Sequence, residues 1–206
     1  MKILAINGSH RPGQNCDVMI NAALEAADAA GVSGETVNLA DLDIRFCTGC
    51  NRCLFKPGCS IDDDQMEELR EKMCQADGIL LASPNYFANV TARMKNFFDR
   101  TRPMHMLQNE LKGKVTGYLV MTGLDNCGAE ATAAALDRWC QIQETLTVHP
   151  RKEGPVTGLF VTGSLLDGFN EEGLPRWRRD VSTDPVALPA AMQLGHDMAE
   201  LIKRLA

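Results

Sequence analysis

Long apolar runs are missing from this sequence, and so is any excess of positive charge. No stretch approaches the about 18 consecutive apolar residues that mark a membrane span, so no transmembrane segment is expected. The opening Met1-Lys2-Ile3-Leu4-Ala5-Ile6-Asn7 is too short for a signal-peptide core and runs at once into Gly8-Ser9, so it reads as a first strand. Lysine and arginine number 21 against 27 acidic residues, a formal charge of −6, which provides no basic surface for a phosphate backbone and argues against nucleic acid as a partner. Histidines number four, at positions 10, 105, 149 and 196, and no Ser-His-Asp or Cys-His signature accompanies them. Internal repeats and low-complexity tracts are also lacking. With 45% apolar and 23% charged residues, the 206 residues suit a single globular domain over 1–206.

Cysteine, by contrast, is plentiful. Eight cysteines would form a disulfide framework in a small secreted chain, which this is not, so they point to a reducing compartment, expected to be the cytoplasm, and to thiolate chemistry or metal ligation. Cys47, Cys50, Cys53 and Cys59 are clustered, whereas Cys16, Cys74, Cys127 and Cys140 are scattered. Cys74 and Cys140 read as small core residues, and Cys127 lies near a helix start.

Five apolar runs, 2–7, 35–39, 78–82, 115–121 and 156–161, alternate with longer amphipathic stretches, the rhythm of βαβ units. Ile79-Leu80-Leu81-Ala82 and Tyr118-Leu119-Val120-Met121 are continuously apolar, as strands covered on both faces must be. Helical spacing relates Ile20, Ala23, Leu24 and Ala27, and again Met66, Leu69 and Met73. Asp62, Asp63 and Asp64 precede the second of these helices and read as cap and dipole partners rather than metal ligands. A helix is expected over 89–100, burying Val90, Met94, Phe97 and Phe98 and stopped by Pro103. Another is expected over 186–205, with Leu188, Met192, Leu194, Met198, Leu201 and Ile202 as apolar positions. Residues 164–185 read as a long loop, with Arg176-Trp177-Arg178-Arg179 as a solvated charged tract. The fold class implied is α/β, a doubly wound five-stranded parallel sheet in three α/β/α layers.

In such sheets ligands bind outside the carboxyl ends of the strands. The first strand runs into Gly8-Ser9-His10-Arg11-Pro12-Gly13-Gln14-Asn15-Cys16 and then a helix, so backbone N–H groups and a helix dipole converge where an anion belongs. Ser9, Arg11 and Asn15 add donors. The loop is neither a GxGxxG fingerprint nor a P-loop, which favours a mononucleotide monophosphate; an ordinary strand-to-helix turn remains open from this loop alone. The third strand exits into Ser83-Pro84-Asn85-Tyr86-Phe87, where an aromatic ring can lie against a flat heterocycle. The fourth exits into Thr122-Gly123-Leu124-Asp125-Asn126.

Gly8-Ser9-x-Arg11 with Asn15, then Ser83-Pro84-Asn85-Tyr86-Phe87, and Met94-Lys95-x-Phe97-Phe98-Asp99-Arg100 resemble the NADPH-dependent FMN reductase family of flavodoxin-like proteins over about residues 1–130. That resemblance implies FMN as cofactor. It places the phosphate at Ser9, Arg11, Asn15 and Cys16, the isoalloxazine ring at Pro84, Asn85, Tyr86 and Phe87, and the rest of the pocket at Thr122 and Gly123. Two positions depart from the family: Cys16 stands where a hydroxyl is usual, and Gly128-Ala129-Glu130 replaces a double glycine before the glutamate. A thiol is the poorer donor, so Cys16 is expected to act through its backbone N–H.

Cys47-x2-Cys50-x2-Cys53-x5-Cys59, within a cysteine-rich loop over 44–61, wraps successive thiolates around one compact centre. Zinc sites usually pair two separated C-x2-C knuckles, whereas three consecutive steps suit a cuboidal cluster; free thiols are the third reading. The spacing resembles that of the iron-sulfur flavoproteins, a branch of the same family, and so implies a [4Fe-4S] cluster held by these four residues. Electron transfer from a ferredoxin-type donor through cluster and FMN to a small acceptor follows from that resemblance. Without a cluster, NAD(P)H would be the reductant and a quinone, nitro compound or free flavin the acceptor; a non-enzymatic electron carrier with a structural zinc site is the further alternative. The resemblance also implies a homo-oligomer, dimer or tetramer.

Overall fold

The structure is a computed structural model that describes residues 1–125, 127–150 and 160–206. Strands β1 (Lys2–Asn7), β2 (Ser33–Asn38), β3 (Gly78–Pro84) and β4 (Val115–Thr122) pair in parallel in the spatial order β2-β1-β3-β4. The fifth position is shared by two short parallel strands. β5 (Leu146–Thr147) pairs with Val115 and Thr116 at the start of β4, and β6 (Val161–Ser164) pairs with Leu119 through Thr122 at its end. The chain steps outward from β1 to β2, then crosses back to β3. This reversal opens a crevice at the carboxyl ends of β1 and β3.

Helices α1 (Asn15–Ala29) and α6 (Ala187–Leu205) cover one face of the sheet, burying Met19, Ile20, Leu194 and Met198 among Leu80, Leu119 and Met121. On the other face lie α2 (Met66–Gln75), α3 (Ala92–Arg100), α4 (Arg102–Met106) and α5 (Ala129–Ile142), which bury Leu69, Phe97, Met104 and Leu136 against Leu4, Ile79 and Val120. Every residue of β4 is buried, which is why its sequence shows no alternation. Asp64 accepts from the Met66 N–H at 3.1 Å, and Asp63 pairs with Arg45.

Several expectations are corrected. The run 156–161 yields β6 at 161–164; residues 156–159 lie outside the described residues, as does Asn126. α3 starts at Ala92 because the Thr91 side chain caps it, accepting from the Met94 N–H at 3.1 Å. α3 ends at Arg100 as expected, and Pro103 sits in the first turn of α4, where its missing N–H has no partner to lose. Met192 faces solvent at 50% exposure, off the buried stripe of α6. Residues 164–185 are an antiparallel hairpin, β7 (Leu166–Phe169) with β8 (Pro175–Trp177), followed by a 3-10 turn at Val181–Thr183.

α1 and α6 meet at Gly195, where a Cβ would lie 1.9 Å from the Ala23 carbonyl oxygen. Gly195→Ala therefore forces the two helices apart and is expected to lower stability by about 3 kcal/mol, the upper end for overpacking, in urea unfolding.

Candidate functional site

The first loop is held from three sides. Gly8 N donates to the Ala82 carbonyl of β3 at 2.8 Å, and the buried Thr91 hydroxyl donates to the Gly8 carbonyl at 2.6 Å. A side chain at Gly8 would meet Met94 Cε at 2.9 Å. Asn7, fully buried at the end of β1, accepts from Ser9 N at 2.9 Å and donates to Asp17 and Asn38, each at 3.0 Å. Arg11 N donates to the Ser9 hydroxyl at 3.1 Å, which fixes the turn. α1 then begins with no side chain capping its first turn, so the positive end of its dipole faces outward.

The ends of β3 and β4 are joined by a hydrogen-bond bracket. Asn85 N donates to the Met121 carbonyl at 2.8 Å, and Asn85 Nδ2 donates to the Cys127 carbonyl at 2.9 Å and its sulfur at 3.1 Å. The buried Thr132 hydroxyl donates to Asn85 Oδ1 at 2.8 Å. Thr122 donates to the Gly163 carbonyl at 3.1 Å, and Leu165 N to the Thr122 carbonyl at 3.2 Å, which draws the segment after β6 over the strand ends. Val181 N donates to Asn15 Oδ1 at 2.9 Å.

Between these loops lies a cavity of about 250 Å³, lined by Ser9, Arg11, Asn15, Cys16, Pro84, Asn85, Tyr86, Thr122 and Gly123 together with Gln14, Met121 and Leu165. Its polar end is the uncapped start of α1; its other end carries Tyr86, Pro84 and Met121. The Cys16 thiol is pushed up to about 12 by burial and by the charge of Asp17, against Arg11, so it stays neutral. Phe87 corrects the expectation for the ring site. At φ 52, followed by Ala88 at φ 56, the chain turns outward, closed by mutual backbone bonds between Tyr86 and Asn89, and the Phe87 side chain stands wholly in solvent. Gln14 and Met121 flank expected residues in sequence, whereas Leu165 carries no motif.

The cysteine-rich loop forms a second cavity, of about 20 Å³, lined by Cys47, Cys50, Cys53 and Cys59 with Ser60, Arg100 and Arg102 among others. Cys47 Sγ accepts from Gly49 N and Cys59 Sγ from Ile61 N, both at 3.5 Å, and Cys50 Sγ is 3.0 Å from the Ser60 hydroxyl. The Ser60 hydroxyl and the Arg52 backbone hold the Cys50 thiol below its ordinary pKa. No group of three or more His, Cys, Asp or Glu side chains among the described residues is gathered as a ready metal site. The donor set, four thiols lining one cavity with N–H donors on two sulfurs, fits a sulfur-ligated cluster in its chemistry; the loop must draw the sulfurs inward to hold one.

Residues 1–151 match the family described as NADPH-dependent FMN reductase. An iron-sulfur flavoprotein of Methanocaldococcus jannaschii is 33% identical over 205 residues, covering 98% of each chain. An iron-sulfur flavoprotein of Archaeoglobus fulgidus is 35% identical over 201 residues, covering 98% of this chain and 95% of its own. Among solved structures, the flavodoxin WrbA-like protein from Agrobacterium tumefaciens superposes with a TM-score of 0.64 at 13% identity, covering 98% of this chain and 97% of that one, which shows a flavodoxin-like fold. A flavin-dependent oxidoreductase is the class these findings define. The chain belongs to the NADPH-dependent FMN reductase family, and the two relatives above, matched over nearly their whole length, are named iron-sulfur flavoproteins.

Thr91 caps α3 and ties it to Gly8 through one hydroxyl. Thr91→Val keeps the shape but strands two buried backbone groups, so urea unfolding is expected to show a loss of about 2 kcal/mol.

Proposed function

We propose that this protein is an FMN-dependent oxidoreductase of the iron-sulfur flavoprotein type, relaying electrons through a [4Fe-4S] cluster and FMN to a small acceptor. The observation that carries the reading is the cavity at the ends of β1, β3 and β4, polar at the uncapped start of α1 and aromatic at Tyr86. Ser9, Arg11 and the first-turn N–H groups at Asn15 and Cys16 hold the phosphate, with Arg11 supplying a charge-assisted contact. Tyr86 lies against the ring with Pro84 beside it. Thr122 and Gly123 close the far side, where Gly123 has no atom within 4 Å of where a Cβ would sit and so lets a ring approach the backbone. Met121 and Leu165 exclude water. The carboxamide of Asn85 is committed to Cys127 and Thr132, so it orients the loop rather than bonding the ring edge.

FMN, when bound, supplies the redox chemistry, taking up a hydride or single electrons, and no protein nucleophile is required. Cys47, Cys50, Cys53 and Cys59 would hold the cluster, which supplies one-electron steps. A ferredoxin-type donor suits that route. Exposed Phe46 and Phe55 on the cysteine loop, at 75% and 80%, support burial of that loop in a homo-oligomer. A second reading, an NAD(P)H-dependent reductase without a cluster, is favoured by the ungathered state of the four sulfurs.

Anaerobic purification followed by spectroscopy and assay of iron, zinc, acid-labile sulfide and released flavin separates these readings. Roughly four irons, four sulfides and one FMN per chain are expected. FMN without metal moves the assignment to the NAD(P)H-dependent reductase, zinc makes the loop structural, and absence of FMN after reconstitution contradicts the proposal.

A further inference from the structure

Arginine is almost never fully buried unless it is paired, and Arg100 is 2% exposed at the last residue of α3. Its counter-ion is Asp64; both side chains are 1% exposed, and they meet through two parallel bonds, Nη1 to Oδ2 and Nη2 to Oδ1, the latter at 3.1 Å. Nη1 also donates to the Arg45 carbonyl at 2.7 Å and Nη2 to the Ile61 carbonyl at 3.2 Å. A guanidinium has five N–H donors. These four bonds account for the four on the Nη atoms, and the fifth, Nε–H, is buried with no partner among the described residues.

The partners lie on either side of the four cysteines. Arg45 precedes Cys47, while Ile61 and Asp64 follow Cys59, so one side chain pins both ends of the cysteine-rich loop to α3. Asn96 Nδ2 adds a bond to the Ile44 carbonyl at 2.8 Å. Arg100 also lines the cavity of the four thiols. Burial opposes its charge, and the bonds and charge of Asp64 outweigh it and keep the guanidinium protonated. The guanidinium is thus a fixed cation within the field of a sulfur that the proposed cluster would make anionic.

We propose that Arg100, seated by Asp64, is the positioning residue of the four-thiolate centre, clamping the loop around it and supplying the unused N–H and a positive charge that favour its reduced state. This rests on the cluster reading above. N–H donors and positive charge near cluster sulfurs stabilise the form with one more electron and so raise the reduction potential. The step is a single electron entering from a reductant, with no bond broken and no proton required.

The test is a redox titration of reconstituted protein with dithionite, followed by electron paramagnetic resonance, on wild type, Arg100→Gln, Arg100→Lys and Asp64→Asn, with FMN and iron counted in each. Arg100→Gln is expected to make the cluster about tenfold harder to reduce, a shift of about 59 mV downward for a one-electron couple. Arg100→Lys, which keeps the charge but lacks the fork, shifts it less in the same direction, and Asp64→Asn, which removes the seat of Arg100, lowers iron retention with FMN kept. Loss of iron from Arg100→Gln with FMN retained also supports the clamp. Variants that keep roughly four irons and the wild-type potential overturn the assignment alone. Should Arg100→Gln lose both FMN and iron through misfolding, Arg100→Lys decides: a lowered potential supports the assignment and the wild-type potential overturns it. Wild-type protein that takes up no iron overturns both this assignment and the cluster reading beneath it.

Discussion

The parallel register of β1, β3 and β4 is the constraint on which the rest depends. Asn7 sits opposite Ala82 and Pro84 opposite Met121, so the loops after all three strands emerge side by side at one edge of the sheet. Neither the phosphate-type loop nor the aromatic turn makes a cavity alone. Brought level by the ladder, they face each other across the winding reversal, and buried Asn7 and Thr91 lock the first loop to its neighbours. A slip of one residue between β1 and β3 would turn the side chains of one strand to the opposite face and part the two halves of the site.

α3 carries that order to the second centre. Its first turn is capped by Thr91, which holds Gly8 at the flavin-type cavity, and its last residue, Arg100, lines the cysteine cavity. Nine residues at 1.5 Å each make the helix about 13 Å long, a spacer between the strand-end cavity and the cysteine-lined cavity. The Asp64–Arg100 pair at its far end is a buried ion pair, and removing one member leaves an uncompensated charge.

Much of this was legible in the sequence because burial on both faces leaves an unmistakable mark. The continuous runs at Ile79–Ala82 and Tyr118–Met121 located the central strands, and the turn residues after them located nearly all of the cavity lining. What escaped was set by geometry that pattern does not encode. Phe87 leaves the cavity because two successive left-handed residues turn the chain outward. Leu165 enters it because Thr122 bonds Gly163 and Leu165, a long-range tie with no local signal. The split fifth strand escaped because Leu146–Thr147 is too short to show a pattern. The cysteine spacing marked the loop, but not the arginine that pins it, since a charged residue ending a helix ordinarily lies in solvent.

The central claim is that the cavity at the strand ends holds FMN by its phosphate at the start of α1. Isothermal titration of flavin-free protein with FMN and with riboflavin tests it most directly, because the two differ only in the phosphate. A charge-assisted contact from Arg11 together with the helix N-terminus predicts about 100-fold tighter binding of FMN. Equal affinity for the two flavins, or binding of neither, would contradict the account.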